Sequence, residues 1–374
     1  MSVDRRAFLR YSLAASLAPS ALLAADKPER HMLQMNGYPI NAETPLELLT
    51  DYITPIDLFF VRSHWVPQMP DLKTWRLVVD GEVEHPLNLT LAELKKMPHA
   101  EATCVLQCAG NGRMLQAPVV PGVQWRYGGV GNGHWRGVRV RDVLARAGVK
   151  DGAKHLHTFG SDKPPGKVPP FHRSIEMQKV MDDGILAWEM NGAPLPPQHG
   201  APLRLVVPGW AGDHWMKWLI RISPQAESQK GFYMETAYRW PINPGEPGVA
   251  FKPEEMRPVT EIFVKSNITS APKRAHAAQK QTIRGFAFSG APDVSKVEIS
   301  DDDGATWQAA TLDPRHEPYA WRRWSFDWTP KSKGKATIFA RATDVRGATQ
   351  PRTAVWNQSG YLYNAWHSIE VEVV

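Results

Sequence analysis

Thr103-Cys104-Val105-Leu106-Gln107-Cys108-Ala109-Gly110-Asn111-Gly112-Arg113 is a strand-like run that breaks into a glycine-bearing turn. Thr103, Cys104, Val105 and Leu106 favour extended backbone, so residues 101–107 are predicted as a strand. The turn that follows carries a thiol at Cys108 and a guanidinium at Arg113, which suggests a metal thiolate facing an anionic substrate. Cys104 and Cys108 are the chain's 2 cysteines. A disulfide between them is disfavoured by geometry: four strand residues span roughly 13 Å, whereas the bond needs Cα atoms within about 7 Å. Cys104 therefore reads as a small buried apolar residue, and Cys108 as a thiol kept for chemistry.

Outward from this turn, short strands alternate with short helices. Residues 75–79 read as a strand ending in the Asp80-Gly81 turn, and residues 90–96 as a helix capped by Thr90 and stopped by Pro98. Residues 138–147 read as a helix closed by Gly148. Loops rich in Pro and Gly, such as Lys163-Pro164-Pro165-Gly166, separate these elements. The fold class implied for residues 36–257 is α+β, with long loops building a site. From residue 258 to 374 the pattern changes to strands at 282–289, 296–300, 321–328 and 336–343, an immunoglobulin-like β-sandwich signature. The acidic run from Ser300 to Trp307 lacks the ligand spacing of a calcium loop and reads as a hairpin turn.

At the amino terminus, Asp4-Arg5-Arg6-Ala7-Phe8-Leu9 precedes an uncharged, Ala/Leu-rich stretch, so residues 1–25 read as a twin-arginine export signal. That route carries folded proteins, which leads to the expectation of a cofactor inserted before export and of a periplasmic mature protein. After such a signal, about 350 of the 374 residues remain, enough for two domains with buried cores. No second apolar run is long enough to span a bilayer. A net charge of +6, scattered along the chain, is not a nucleic-acid footprint. It suits an anionic substrate or an acidic partner.

Weaker signals carry little. Gly129-Val130-Gly131-Asn132-Gly133 is a fragment of a dinucleotide-type pattern but leads into His134-Trp135-Arg136-Gly137, and is expected to form a tight loop. His155 and His157 flank Leu156 and could share a face, yet no third ligand follows at suitable spacing. A Gly-x-Ser-x-Gly elbow is lacking, as is a Cys-x-x-Cys-His haem attachment. A hydrolase therefore lacks its nucleophile, and any haem is expected on another protein.

The Cys108 turn with Arg113, the run Phe60-Val61-Arg62-Ser63-His64, Trp188-Glu189-Met190-Asn191-Gly192, and the run from His199 to Gly209 together resemble the sulfite oxidase family of molybdenum enzymes. Lys217-Trp218-Leu219 and Gly231-Phe232-Tyr233-Met234 with Tyr238 extend the resemblance over nearly the whole chain. It implies a molybdopterin-binding domain followed by an immunoglobulin-like dimerisation domain. It further implies one molybdenum with one pyranopterin per chain, and Cys108 as the protein's ligand to the metal, a soft donor suited to it. Arg62 and Arg113 correspond to anion-pocket arginines, Tyr238 to the active-site tyrosine and Trp125 to a pocket-wall tryptophan. His64, Asp162, His199, Arg204 and Lys217 correspond to pterin contacts.

The activity implied is sulfite oxidation to sulfate, with electrons leaving to a separate cytochrome c in a homodimer or a complex with a cytochrome subunit, and no haem in this chain. Two departures bear on substrate. Ser359, in Trp356-Asn357-Gln358-Ser359-Gly360, stands where animal and plant members carry an arginine, and Gly112 replaces a second arginine of the cysteine turn. A molybdenum reductase of sulfoxides or related groups on the same scaffold is the alternative, and an exported non-catalytic binding protein the third reading.

Overall fold

The computed structural model describes residues 31–36, 39–66 and 69–374; the export-signal reading of residues 1–25 lies outside them. Residues 31–374 form one compact unit.

The strand predicted before Cys108 runs over His99–Gln107. It pairs antiparallel with Val130–Arg139, which pairs in turn with Ile185–Met190. Ala193–Pro194 and Arg204–Val206 both pair with that last strand. A second sheet is ordered Leu87–Leu89, Leu77–Val79, Leu219–Gln225, His155–Gly160 and His172–Glu176. Its one parallel pairing joins Leu77–Val79 to Leu219–Gln225. Short helices cover the edges. Leu91–Leu94 starts with a capping box between Thr90 and Glu93, satisfying amides that a helix start otherwise leaves unpaired. Val140–Ala147 ends at Gly148 in the left-handed region. The helix predicted from residue 138 starts two residues late, because Val138 and Arg139 complete the strand.

The glycine run from Gly129 is a strand from Val130 onward, not the expected loop. Its glycines admit close neighbours. A Cβ on Gly131 would stand 2.7 Å from the Phe59 ring, and one on Gly137 only 1.9 Å from the Leu186 carbonyl oxygen. Here glycine marks close approach within a sheet rather than a turn.

Beyond residue 258 the chain forms two facing sheets. One is ordered Lys265–Ser270, Gln281–Phe288, Arg322–Trp328 and Thr311–Leu312; the other is Arg274–Ala275, His367–Val373, Gly334–Asp344, Val294–Ser300 and Gln308–Ala309. Ile283, Val297, Trp324, Ile338 and Val371 meet between them. Val294–Ser300 and Gln308–Ala309 pair antiparallel, so the acidic run connects a hairpin, with Asp303 and Gly304 at positive φ. The architecture is α+β with a β-sandwich. A further apolar cluster joins Val105, Ala109 and Tyr238 to Phe286, Trp321, Tyr361 and Leu362, and the amide of Leu362 donates to the Ala109 carbonyl at 2.8 Å. The cysteine turn is thus packed directly against carboxy-terminal residues. Among the described residues no helix is long and apolar enough to cross a membrane.

Candidate active site

His99–Gln107, the edge strand of its sheet, leads into a cavity that Leu106, Cys108 and Ala109 line from this side. Arg62, His64, Cys108, Asp162, His199, Arg204, Lys217 and Tyr238 all line it, together with Phe60, Phe171, Trp215 and Trp218. Segments around residues 60–64, 106–109, 162–171, 198–204, 212–218 and 238 therefore converge on one space. Arg113 and Trp125 do not line it.

Cys108 follows the strand into a turn held by its own amide on Gly129 O (2.9 Å) and by Asn111 N on Cys108 O (2.9 Å). Both cysteines are unpaired and buried. Burial pushes the Cys108 thiol up from its ordinary value, against the opposing pull of Arg62 and Arg113. An unassisted thiolate is disfavoured there, and a bound metal would remove the proton. Among the described residues no three His, Cys, Asp or Glu side chains form a metal cage. A metal at Cys108 would therefore draw its other ligands from a bound group.

Gly112 adopts φ +92°, and a Cβ there would come within 2.8 Å of Tyr363. Any side chain at this position would be strained as well as crowded. Arg113 folds back over Gly110, Gly122 and Gly360, each of which would meet it at 2.7–2.8 Å if it carried a Cβ. Its Nε donates to Ser359 O (2.8 Å) and its Nη1 to Val123 O (3.0 Å), with the guanidinium 5.3 Å from the Tyr361 ring centre.

On the cavity wall, Tyr238 Oη and His64 Nε2 are 3.0 Å apart. Burial raises the tyrosine's pKa. Burial, then Arg62 and Lys217, hold the His64 imidazole well below its ordinary value. The phenol keeps its proton, and the neutral imidazole accepts the bond in the tautomer bearing hydrogen on Nδ1. Phe171 stacks on His64 at 4.4 Å and Tyr361 on Tyr238 at 5.1 Å, locking the pair's orientation.

The same cavity carries a cationic set. Lys217 Nζ donates to Ser63 Oγ (3.0 Å) and Gln198 O (2.9 Å). Arg204 donates to His199 O (2.9 Å) and sits over the rings of Trp135 and Trp215. Burial depresses Lys217 well below its ordinary value, Arg204 to about 9 and His199 to about 3, while Asp162 is pushed up to about 6. His199 Nε2 and Arg204 Nε are buried without a protein partner. Desolvated cations, an unpartnered Arg204 N–H and the free acceptor nitrogen of a neutral His199 call for an anionic, polar ligand. A pterin carrying a phosphate fits that donor set, with Lys217, Arg204 and His199 available to it and Asp162 as an acceptor.

Several contributors were not singled out from sequence: Ser63, Gln198, Phe171, Tyr361, and the buried set Arg173, Asp213 and His214. Arg173 carried one usable signal. It alternates with Ile175 on a strand whose Ile175 face is fully buried, so a charged side chain was due to point inward.

A cysteine thiol beside a pocket of buried cationic side chains fits the site of a molybdopterin-type oxidoreductase. Residues 63–233 match the family model described as "Oxidoreductase molybdopterin binding domain", and residues 256–374 that described as "Mo-co oxidoreductase dimerisation domain". The chain is 37% identical to mitochondrial sulfite oxidase of Mus musculus, covering 96% of this chain and 70% of that protein. It is 33% identical to nitrate reductase [NADH] 2 of Phaseolus vulgaris over 91% of this chain, spanning 42% of that protein. The sulfane dehydrogenase SoxCD structure from Paracoccus pantotrophus superposes with a TM-score of 0.81 at 27% identity, covering 100% of this chain and 97% of that one. The chain belongs to the sulfite oxidase family of molybdenum-cofactor oxidoreductases.

Proposed function

We propose that the protein is a periplasmic sulfite dehydrogenase, exported folded through Arg5 and Arg6 and active as a homodimer or with a cytochrome subunit. Electrons would leave singly to a separate cytochrome c. The observation that carries the reading is the convergence of Cys108, Arg62 and the Tyr238–His64 pair on one cavity wall system. Cys108 would bind the metal, and the molybdenum group when bound supplies oxygen-atom transfer and storage of two electrons.

The chain's own residues do the rest. Arg62 is held through Nη1 by Asn41 Oδ1 (3.3 Å) and by the Ser63 carbonyl, so its cationic charge is fixed where an oxyanion enters. Tyr238, with its proton retained, offers a hydroxyl donor at a position set by His64. Phe60 and Phe171 present apolar surface that excludes water and strengthens those contacts. Lys217, Arg204, His199 and Asp162 would hold the pterin and its phosphate.

A second reading, reduction of sulfoxides or related neutral groups, is favoured by one observation. Arg113 is spent on two backbone carbonyls and Ser359 brings no charge, leaving a pocket less cationic than a dianion would favour. The deciding experiment is sulfite-dependent ferricyanide reduction by protein matured in a molybdenum-cofactor-competent host, with molybdenum assayed in the same sample. Turnover proportional to molybdenum supports the dehydrogenase. Full molybdenum without sulfite turnover rejects it in favour of the reductase.

A further inference from the structure

Arg173 is wholly buried beneath the cavity without lining it. Its Nη2 donates to Asp213 Oδ2 at 2.7 Å and meets His214 Nε2 at 3.0 Å. Its Nη1 donates to the Tyr233 carbonyl. The guanidinium carbon lies 5.4 Å from the centre of the Tyr238 ring. One side chain thus ties the His172–Glu176 strand to the turn at Asp213 and to the segment that ends in Tyr238. Tyr238 itself sits at φ 56°, a left-handed conformation that a tyrosine holds only when its surroundings impose it.

We propose that Arg173, held in place by its ion pair with Asp213, is the positioning residue for Tyr238: it fixes the ring and, through its charge on that ring, strengthens the hydroxyl as a hydrogen-bond donor into the cavity. The inference rests on the reading of Tyr238 given above. A buried ion pair is a poor way to gain stability, because desolvation of both charges offsets their attraction and an apolar pair of similar volume often does better. What an apolar pair cannot supply is a cation on an aromatic ring. There it draws electron density from the phenol oxygen and favours the O–H as donor. The same charge disfavours protonation of His64, the partner of that hydroxyl.

The test compares Arg173→Lys, Arg173→Gln and the double replacement Arg173→Met with Asp213→Leu. The chain has 9 tyrosines, so ring-Cζ-labelled tyrosine gives a countable carbon NMR spectrum, with the Tyr238 signal assigned by its loss in Tyr238→Phe. Arg173→Lys is expected to keep the wild-type Tyr238 signal. Arg173→Gln is expected to move it and to lower sulfite kcat/KM about ten-fold at unchanged molybdenum per chain; the double variant, which also replaces the cavity-lining Asp213, is expected to move the same signal. The double variant leaves no buried unpaired charge, so its thermal midpoint should match or exceed the wild type. A folded double variant with the wild-type Tyr238 signal would overturn the proposal, as would wild-type turnover in Arg173→Gln or a shift common to the Lys and Gln variants. Should wild-type protein hold molybdenum yet leave sulfite untouched, the substrate reading fails while the NMR comparison still decides the role of Arg173.

Discussion

Arg113 donates from Nε to the carbonyl of Ser359 at 2.8 Å, so the one guanidinium of the cysteine turn is bound to the backbone of the residue that stands where family members carry an arginine. Of Arg62 and Arg113, the two arginines proposed to bind the anion, Arg62 alone lines the cavity. Ser359→Arg should restore a second cation close to the site. A charge-assisted hydrogen bond formed by it lowers the KM for sulfite by about ten-fold or more at low ionic strength, with the gain shrinking as salt rises. Steady-state kinetics at two salt concentrations check this, and an unchanged or raised KM would show that position 359 does not face the substrate.

Cys104 and Cys108 differ in consequence although both are buried. Cys108→Ser replaces a soft ligand by a hard, weakly acidic one, and is expected to reduce bound molybdenum to a small fraction of the wild-type content. Cys104 is packed in the core with no exposed surface, and Cys104→Ala should leave molybdenum content intact while lowering stability by roughly 1 kcal/mol. Metal analysis and urea unfolding of both variants separate the two roles. Equal molybdenum in the Cys108 variant and the wild type would contradict the ligand assignment.

Much of this arrangement was legible in the chain because its causes are local. β-branched and apolar residues before Cys108, the Thr90 cap and the Gly148 stop each act within a few residues, and the elements they predict are present with ends displaced by a residue or more. The Gly129–Gly133 run misled because a glycine's meaning depends on what lies across from it. Gly131 pairs with Leu106 in the sheet, and it is a glycine there because Phe59 occupies the space a Cβ would need. The ion pair of Arg173 with Asp213 and the contact of Arg113 with Ser359 were hidden for a related reason. Each joins segments distant in sequence, and nothing in either segment alone names its partner.

Gly137 offers a test of that close approach. It lies at an irregularity in the pairing of Val130–Arg139 with Ile185–Met190, and a Cβ would stand 1.9 Å from the Leu186 carbonyl oxygen. Backbone rather than a flexible side chain is in the way, so relief requires the two strands to separate. Gly137→Ala should destabilise by about 3 kcal/mol, read as a fall in the urea midpoint at constant slope. A loss below about 0.5 kcal/mol, the range of neutral surface changes, would mean that the strands part easily there.

Stability should also fall in mild acid, and the sign follows from three buried histidines. His199, His214 and His367 are each almost fully buried, and burial is the leading cause that lowers all three, His199 to about 3 and His367 to about 4. In the unfolded chain they titrate near the ordinary histidine value of about 6.5. Below that pH the unfolded state binds protons that the folded state refuses, so stability declines as pH falls through 6.5 and continues to decline toward the folded values. At pH 5.5 His199 and His367 each cost about 1.4 kcal/mol relative to neutral pH, and His214 adds to the loss in the same direction. Asp162, pushed up to about 6 by burial, works in the opposite direction: its penalty is present above pH 6 and is relieved as pH falls, which offsets part of the loss. Urea unfolding of cofactor-free protein at pH 7.5 and 5.5 should therefore show a net loss of about 2 kcal/mol. His367→Gln should remove about one histidine's share of it, since its effect comes from burial and the nearby Lys265 rather than from the cofactor pocket. A midpoint that stays flat over this range would mean that these imidazoles gain solvent or a carboxylate partner on protonation.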